Sequence, residues 1–368
     1  MTNPLVALGQ LGQSPWYDFI TRELVRSGEL ARLIREDGLL GMTSNPTIFE
    51  KAVAGSSDYD ADIQRLTAAG KSAAEVFEVL AVADVQAACD LFRPVWDARK
   101  NGDGTVSLEV SPTLAHDTAG TITEAVRLWE RVARPNVMIK IPGTKAGLPA
   151  ISECLARGIN VNVTLLFSVE RHREVIEAYF QGVERRVAAG EPVDRLSSVA
   201  SFFVSRVDGR IDPMLDAKGA AGADLRGTVA IANAAAAYGA FEAAFRGPRW
   251  DALAAKGAQV QRPLWASTST KDPKYPDTYY VEALAAPHTV NTLPPETFAA
   301  YRDHGHPVAR IGAHVHGAEA QLALLAPLGI DLAEVTAFLE KDGVEKFAAS
   351  YQSLLARIAA KAGALATT

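Results

Sequence analysis

The sequence predicts a closed (β/α)8 barrel, on three observations. Short apolar runs alternate with long helical stretches, eight such runs occur along the chain, and polar residues recur late in those runs on one parity. Alternating strands and helices imply parallel strands joined by crossover helices, and eight strands in roughly 300 residues are what a closed barrel needs. An open doubly wound sheet is the alternative. Its signature is missing, because no Gly-x-Gly-x-x-Gly follows the first strand and no phosphate-loop motif ending in Gly-Lys-Ser/Thr occurs.

In chain order, the predicted strands are 15–20, 39–43, 106–111, 137–141, 159–165, 198–204, 263–268 and 289–293. Between them lie Ala/Leu/Glu/Arg-rich segments of helical period, such as 121–132, 169–188 and 228–245. Thr118 and Ser168 stand where N-caps belong, and Gly158 and Gly190 follow helix ends. Segment 57–100 carries two helical stretches, more than one crossover requires, and the Ala/Leu/Glu-rich tail from about 309 to 368 predicts further helices wrapped on the barrel. Gly102, Asp103 and Gly104 precede a strand and read as a turn. With no Gly/Ser/Pro-rich linker and no internal repeat, residues 1–368 are expected to form one domain.

Composition narrows the function. The chain has 368 residues, 48% of them hydrophobic and 22% charged, which supports a large core. Its net charge is −6 with no long basic run, so neither nucleic acid nor an anionic membrane is an expected partner. Two cysteines, Cys89 and Cys154, both in apolar helical stretches, read as buried free thiols. The first 13 residues lack the pattern of a secretory signal, and no apolar run is long enough to span a bilayer. A cytoplasmic protein, monomer or homodimer, is the expectation.

Parity within the strands carries the chemistry. In Val137-Met138-Ile139-Lys140-Ile141 the branched residues share one face and Lys140 takes the other. Val161, Val163 and Leu165 oppose Asn162 and Thr164; Glu109 takes the polar face of its strand; Ser201 pairs in parity with Phe203, and Trp265 with Ser267. Asp18, Asn45 and Asn291 add polar groups in or just beyond strands one, two and eight. In a barrel such residues converge at the C-terminal mouth, where active sites sit. A lone strand Asn or Thr is as readily a satisfied core group, but repetition over the strands favours a site.

Lys140 is the sharpest of them. Lysine is rarely buried unpaired, and an apolar setting favours the neutral amine, the form that attacks a carbonyl to make a Schiff base. The competing reading is a structural ion pair with Glu109 on the adjacent strand. Glu109 is also the obvious acid/base for imine chemistry, and Asp18 an alternative one. No cofactor is required, since a protonated imine is itself the electron sink. His304, His306, His314 and His316 lack a cysteine or carboxylate pattern and predict a solvated loop in place of a metal site. Lys145, Lys271 and Lys274 fall in loops, Lys271 just after strand seven, where barrels often hold phosphate.

The motifs match a family. Trp16-Tyr17-Asp18, Gly41-Met42-Thr43-Ser44-Asn45-Pro46, Ser107-Leu108-Glu109-Val110, Ile139-Lys140-Ile141-Pro142, Asn162-Val163-Thr164-Leu165-Leu166-Phe167-Ser168 and Ser201-Phe202-Phe203-Val204-Ser205-Arg206, in this order, resemble the transaldolase family over about residues 14–304. The resemblance implies a class I aldolase-type barrel that transfers a dihydroxyacetone unit from sedoheptulose 7-phosphate to glyceraldehyde 3-phosphate, in the non-oxidative pentose phosphate pathway. It implies Lys140 as the Schiff-base lysine, Glu109 as the acid/base acting through a water held by Thr164, and Asp18 at the hydroxyl of the scissile bond. Asn45 and Asn162 would bind the dihydroxyacetone hydroxyls, Ser201 and Phe203 would line the pocket, and Arg206 would bind phosphate. One departure stands out: after strand seven, Ser267 matches, but Ser269 replaces a second phosphate-binding arginine, and Lys271 is the substitute cation. Within this chemistry, a related aldolase releasing free dihydroxyacetone is the alternative; Glu109, Phe203 and the chain's length favour the transferase. A non-catalytic sugar-phosphate-binding barrel is the alternative from another class.

Overall fold

A computed structural model describes residues 3–100 and 102–366, so the extreme ends of the predicted domain and of its tail lie outside the described residues. Eight parallel strands close into a barrel in sequence order: β1 (Gln13–Asp18), β2 (Gly41–Thr43), β3 (Thr105–Glu109), β4 (Val137–Pro142), β5 (Val161–Leu166), β6 (Ser198–Phe203), β7 (Arg262–Ala266) and β8 (Thr289–Leu293). Each predicted strand is present, with ends displaced by a few residues. β1 starts early because Gln13 pairs with Thr289 of β8 and closes the ring. β2 is shorter than expected, since Leu39 and Leu40 precede its regular pairing with β3.

The strands are buried on both faces, as parallel strands wrapped by helices must be. Val137, Ile139 and Ile141 meet the helices with no exposed surface, each stabilising the fold by about 1.5–3 kcal/mol relative to exposure. Inside, the barrel is filled. A Cβ on Gly41 would come within 2.5 Å of the Trp16 ring, so only glycine lets β2 pass this indole. Below it, Asp103 meets Arg262 at 3.0 Å, and Ser14 and Trp16 donate to the same carboxylate at 3.0 and 3.2 Å.

The helix Val169–Ala188 starts as predicted, with the Ser168 hydroxyl accepting from Arg171 N at 3.1 Å. Helix Thr118–Val132 departs from the expectation. Asp117 is its cap, accepting from Gly120 N at 2.9 Å, while Thr118 turns its hydroxyl to the Ala146 carbonyl. A carboxylate accepts more strongly than a hydroxyl and also meets the positive end of the helix. Gly158 and Gly190 take left-handed backbones past their helices. The insertion resolves into Asp60–Ala68 and Ala73–Ala98, and the tail into Ile311–Ala323 and the 35-residue helix Leu332–Ala366.

Three further expectations need correction. His304, His314 and His316 are exposed as predicted but lie on helices Pro295–His304 and Ile311–Ala323, with His306 alone in the connection. Leu165 does not stay on the face of Val161 and Val163, because the β5–β6 register shifts between Val163 and Leu166 and Leu165 takes a left-handed backbone (φ 63°). Ser267 likewise breaks parity with Trp265, because β7 ends at Ala266 and φ at Ser267 is 56°. Such conformations cost a non-glycine residue on the order of 1–3 kcal/mol and cluster at functional sites. Cys89 and Cys154 are buried and free, and burial pushes both thiols up. Among the described residues no single helix is long and apolar enough to cross a membrane, and no cluster of His, Cys, Asp or Glu is placed to hold a metal.

Candidate active site

At the C-terminal ends of the strands a cavity of about 390 Å³ opens. Asp18, Asn45, Lys140, Thr164, Ser201, Phe203, Arg206, Ser267 and Lys271 all line it, so nine of the eleven sequence-predicted site residues come together here. Glu109 lies in the adjoining wall, facing a second space of about 500 Å³ that Asn45 also lines. Asn162 sits within the barrel wall beside Lys140, its register partner.

The central pair is fixed by strand register. Glu109 on β3 lies directly across from Lys140 on β4, and their charged atoms are 3.4 Å apart. Their side chains are 3% and 6% exposed. The Lys140 amine also donates to the Ser44 carbonyl at 3.3 Å. Neither Glu109 oxygen has a hydrogen-bond partner among the described residues, and the same holds for the Thr164 hydroxyl. Burial pushes the Glu109 carboxyl up to about 7, against the pull of the Lys140 ammonium. At neutral pH it therefore offers both an acid and a base form, the condition for shuttling protons.

Asp18, at the end of β1, is held differently. Thr43 donates to its carboxylate at 2.7 Å, and Thr43 and Thr292 share a bond of 2.6 Å. Desolvation raises this carboxyl too, with Lys140 opposing. Asn45 caps the helix Pro46–Gly55 by accepting from Ile48 N at 3.0 Å, which fixes its side chain at the cavity rim. Asn162 donates to Ser107 at 3.0 Å and accepts from Ser201 at 2.7 Å, a chain across β3, β5 and β6 that holds the floor of the cavity.

The far end is cationic. Arg206 opens the helix Ser205–Asp216, its guanidinium carbon 5.1 Å from the Phe203 ring centroid, and its Nη1 has no partner among the described residues. Ser267 and Ser205 are 2.9 Å apart, and Lys271 donates to Ser269 at 2.7 Å. Ser269, at the position of the missing arginine, therefore brings a cation to the cavity through Lys271. A guanidinium, an ammonium, hydroxyls and a helix N-terminus in one place suit a phosphate. Asn291 is different: it accepts from Thr268 at 2.8 Å inside the barrel and does not line the cavity.

Sequence reasoning missed Thr43, Thr292, Lys51 and Phe347, all of which line the cavity. Thr43 was legible as an inward residue two positions before Asn45. Phe347 was not, because nothing local to a helical tail says that it returns to the barrel mouth.

Residues 15–358 match the family profile described as transaldolase/fructose-6-phosphate aldolase. The chain is 52% identical to a transaldolase of Acidothermus cellulolyticus over 361 residues, covering 97% of this chain and 96% of that protein. Identity to the Frankia alni transaldolase is 50%, over 99% and 98% of the two chains, and to that of Mycobacterium marinum 49%, over 99% of each. On the profile, the full-length identities and the closed barrel, the chain belongs to the transaldolase/fructose-6-phosphate aldolase family.

Proposed function

We propose that this chain is a transaldolase working in the non-oxidative pentose phosphate pathway. It moves a dihydroxyacetone unit from sedoheptulose 7-phosphate to glyceraldehyde 3-phosphate, giving erythrose 4-phosphate and fructose 6-phosphate. The observation that carries the reading is a buried lysine with a proton-poised carboxyl 3.4 Å away, at one end of a cavity whose other end holds Arg206.

The Lys140 amine attacks the donor's ketone carbon, and water leaves as the Schiff base forms. Glu109 handles the protons of these steps through a water bound at Thr164; the unpartnered Glu109 oxygens and Thr164 hydroxyl suit that role. Asp18 takes the proton of the hydroxyl on the far side of the scissile carbon–carbon bond, and the imine nitrogen receives the bond's electrons. The first aldehyde departs, the acceptor enters, and the steps run backwards. Asn45 and Asn162 hold the dihydroxyacetone hydroxyls, Asn162 steered by Ser107 and Ser201. Ser201 and Phe203 shape the pocket, while Arg206, with Ser267 and Lys271, takes the phosphate. The mechanism calls on no cofactor. One domain includes the C-terminal helix, and the free thiols suit a reducing cytoplasm.

A donor-plus-acceptor assay tests the reading. Erythrose 4-phosphate should form in step with fructose 6-phosphate and only when glyceraldehyde 3-phosphate is present. Stoichiometric release of free dihydroxyacetone without an acceptor would make the chain an aldolase, and binding without turnover would make it a non-catalytic barrel.

A further inference from the structure

The 35-residue helix Leu332–Ala366 packs on the helices Pro46–Gly55, Asp60–Ala68 and Ala73–Ala98, and also touches β5 and the helix Ser205–Asp216. It thus crosses the barrel mouth and sets one aromatic ring into the cavity. Phe347 is 5% exposed, lines the cavity with Asp18, Lys140 and Arg206, and its ring centroid is 5.7 Å from Lys140 Nζ.

Two local features seat the helix here. Gly343 lies one turn before Phe347 on the same face. A Cβ at Gly343 would come within 3.0 Å of Leu165 Cδ2 and 3.7 Å of Arg206 Nη1, so the missing side chain lets the helix backbone settle onto the mouth. Leu165 is the residue that the β5 irregularity turns, at φ 63°, out of the pattern of its strand. A strained barrel residue and a side-chain-free helix position therefore meet beside the cavity. Their joint effect is to hold Phe347 over the lysine.

We propose that Phe347 is a specificity-determining residue that shields the Lys140-bound enamine from bulk solvent, so that its carbon is captured by an aldehyde before it takes a proton. The inference rests on the reading that Lys140 forms the Schiff base. After cleavage the unit remains on Lys140 as an enamine with two fates. In transfer, its carbon attacks the acceptor's carbonyl carbon, the new alkoxide takes a proton, and one water adds to the resulting iminium and releases the new ketose from the lysine amine. In hydrolysis, that carbon takes a proton instead, one water adds to the resulting iminium and loses a proton, and the carbon–nitrogen bond breaks with a proton delivered to nitrogen. Free dihydroxyacetone and the lysine amine result, with no change of oxidation state. Both fates end with water adding at the carbon next to Nζ; they part earlier, at the enamine carbon, which takes the acceptor in one and a proton in the other. An apolar ring over that nitrogen keeps bulk water, the source of that proton, from the enamine carbon while leaving the cavity open to an acceptor anchored at Arg206. A closed apolar wall of this kind suppresses side reactions with solvent.

The test is a ratio, dihydroxyacetone released per erythrose 4-phosphate formed, measured with donor and acceptor both present. The ratio does not depend on how much of a variant folds. Phe347→Ala should raise it by about tenfold or more, Phe347→Leu by less, as a closing side chain is trimmed. Gly343→Ala, which favours the helix conformation, should raise it in the same direction by lifting Phe347. Phe338→Leu, on the same helix but 45% exposed, should keep the wild-type ratio. An unchanged ratio in both active Phe347 variants overturns the proposal. If borohydride fails to trap the donor on Lys140 in the wild-type protein, the underlying Schiff-base reading fails instead.

Discussion

At the floor of the barrel Arg262 meets Asp103, and at the mouth Lys140 meets Glu109. Each pair joins an acid and a cation from different strands or their edges, and each is nearly sealed from solvent. Their surroundings differ. Asp103 accepts from Arg262, Trp16 and Ser14, and Arg262 donates in addition to Ser14 and to the Gly102 carbonyl. Glu109 has only the ammonium 3.4 Å away, and neither of its oxygens accepts a hydrogen bond within the described residues. A buried carboxylate with a full set of hydrogen bonds holds structure; one with few, pushed up by burial as Glu109 is, gains and loses protons easily. The floor pair ties the fold together, and the mouth pair is held ready for chemistry.

Four predictions probe that contrast. Glu109→Gln should lower turnover by about 10²–10⁴-fold, the range for losing a general acid/base, while leaving the unfolding midpoint close to wild type. If turnover barely changes, Asp18 becomes the main acid/base and the contrast breaks at the mouth. Asp103→Ala should do the opposite. It leaves the Arg262 cation without its acid and should cost about 3–5 kcal/mol in denaturant unfolding, the penalty for breaking a buried pair from one side. A loss under ~1 kcal/mol, the scale of an exposed ion pair, would show that solvent reaches the floor.

His172 supplies a third setting, a buried ionisable group in neither pair. Its ring lies edge-on to Phe202 at 6.0 Å in the barrel wall, and burial pulls the imidazole down to about 4. The folded state then binds fewer protons than the unfolded chain below the ordinary imidazole value. Its contribution to stability is complete above pH ~6.5 and is lost as the pH falls towards 4, by at most about 3 kcal/mol. In urea titrations, His172→Phe should flatten the acid side of the stability profile. An unchanged slope would show that His172 takes up its proton as readily in the folded state as in the unfolded chain. The smallest effects belong to the phosphate end. Arg206→Ala should weaken binding of phosphorylated substrates by about 1.5–3 kcal/mol, and Lys271→Ala by less, because a lysine replaces no bidentate fork. Comparing a phosphorylated with an unphosphorylated ketose separates the two roles, and an equal loss on both would remove Lys271 from the phosphate site.

Much of this site is legible in the chain because strand period and barrel closure do most of the placing. Lys140 and Glu109 stand on the polar parity of adjacent strands, so a parallel register is enough to bring them together. Asp18, Thr164, Ser201 and Phe203 follow from the same rule. The rule fails where the backbone leaves the regular pleat. Leu165 and Ser267 adopt left-handed conformations that no β-period anticipates, and both sit where the mouth is shaped. It also says nothing of Phe347, whose helical surroundings look the same whether the helix lies on the barrel's side or across its opening. Residue type alone marks Thr118 as a cap, but Asp117 is the stronger acceptor and takes Gly120 N, while the Thr118 hydroxyl goes to the nearby Ala146 carbonyl, which no local pattern shows.

The central claim is that the mouth pair makes and breaks a covalent bond to substrate at Lys140. Borohydride reduction in the presence of sedoheptulose 7-phosphate, followed by proteolysis and peptide mass mapping, tests it directly. A reduced dihydroxyacetone adduct should appear on Lys140, persist at a lower level in Glu109→Gln, and vanish in Lys140→Ala and in Lys140→Arg, whose guanidinium stays protonated and is no nucleophile. An adduct on Lys145, or none at all in a folded protein that turns substrate over, would contradict the account.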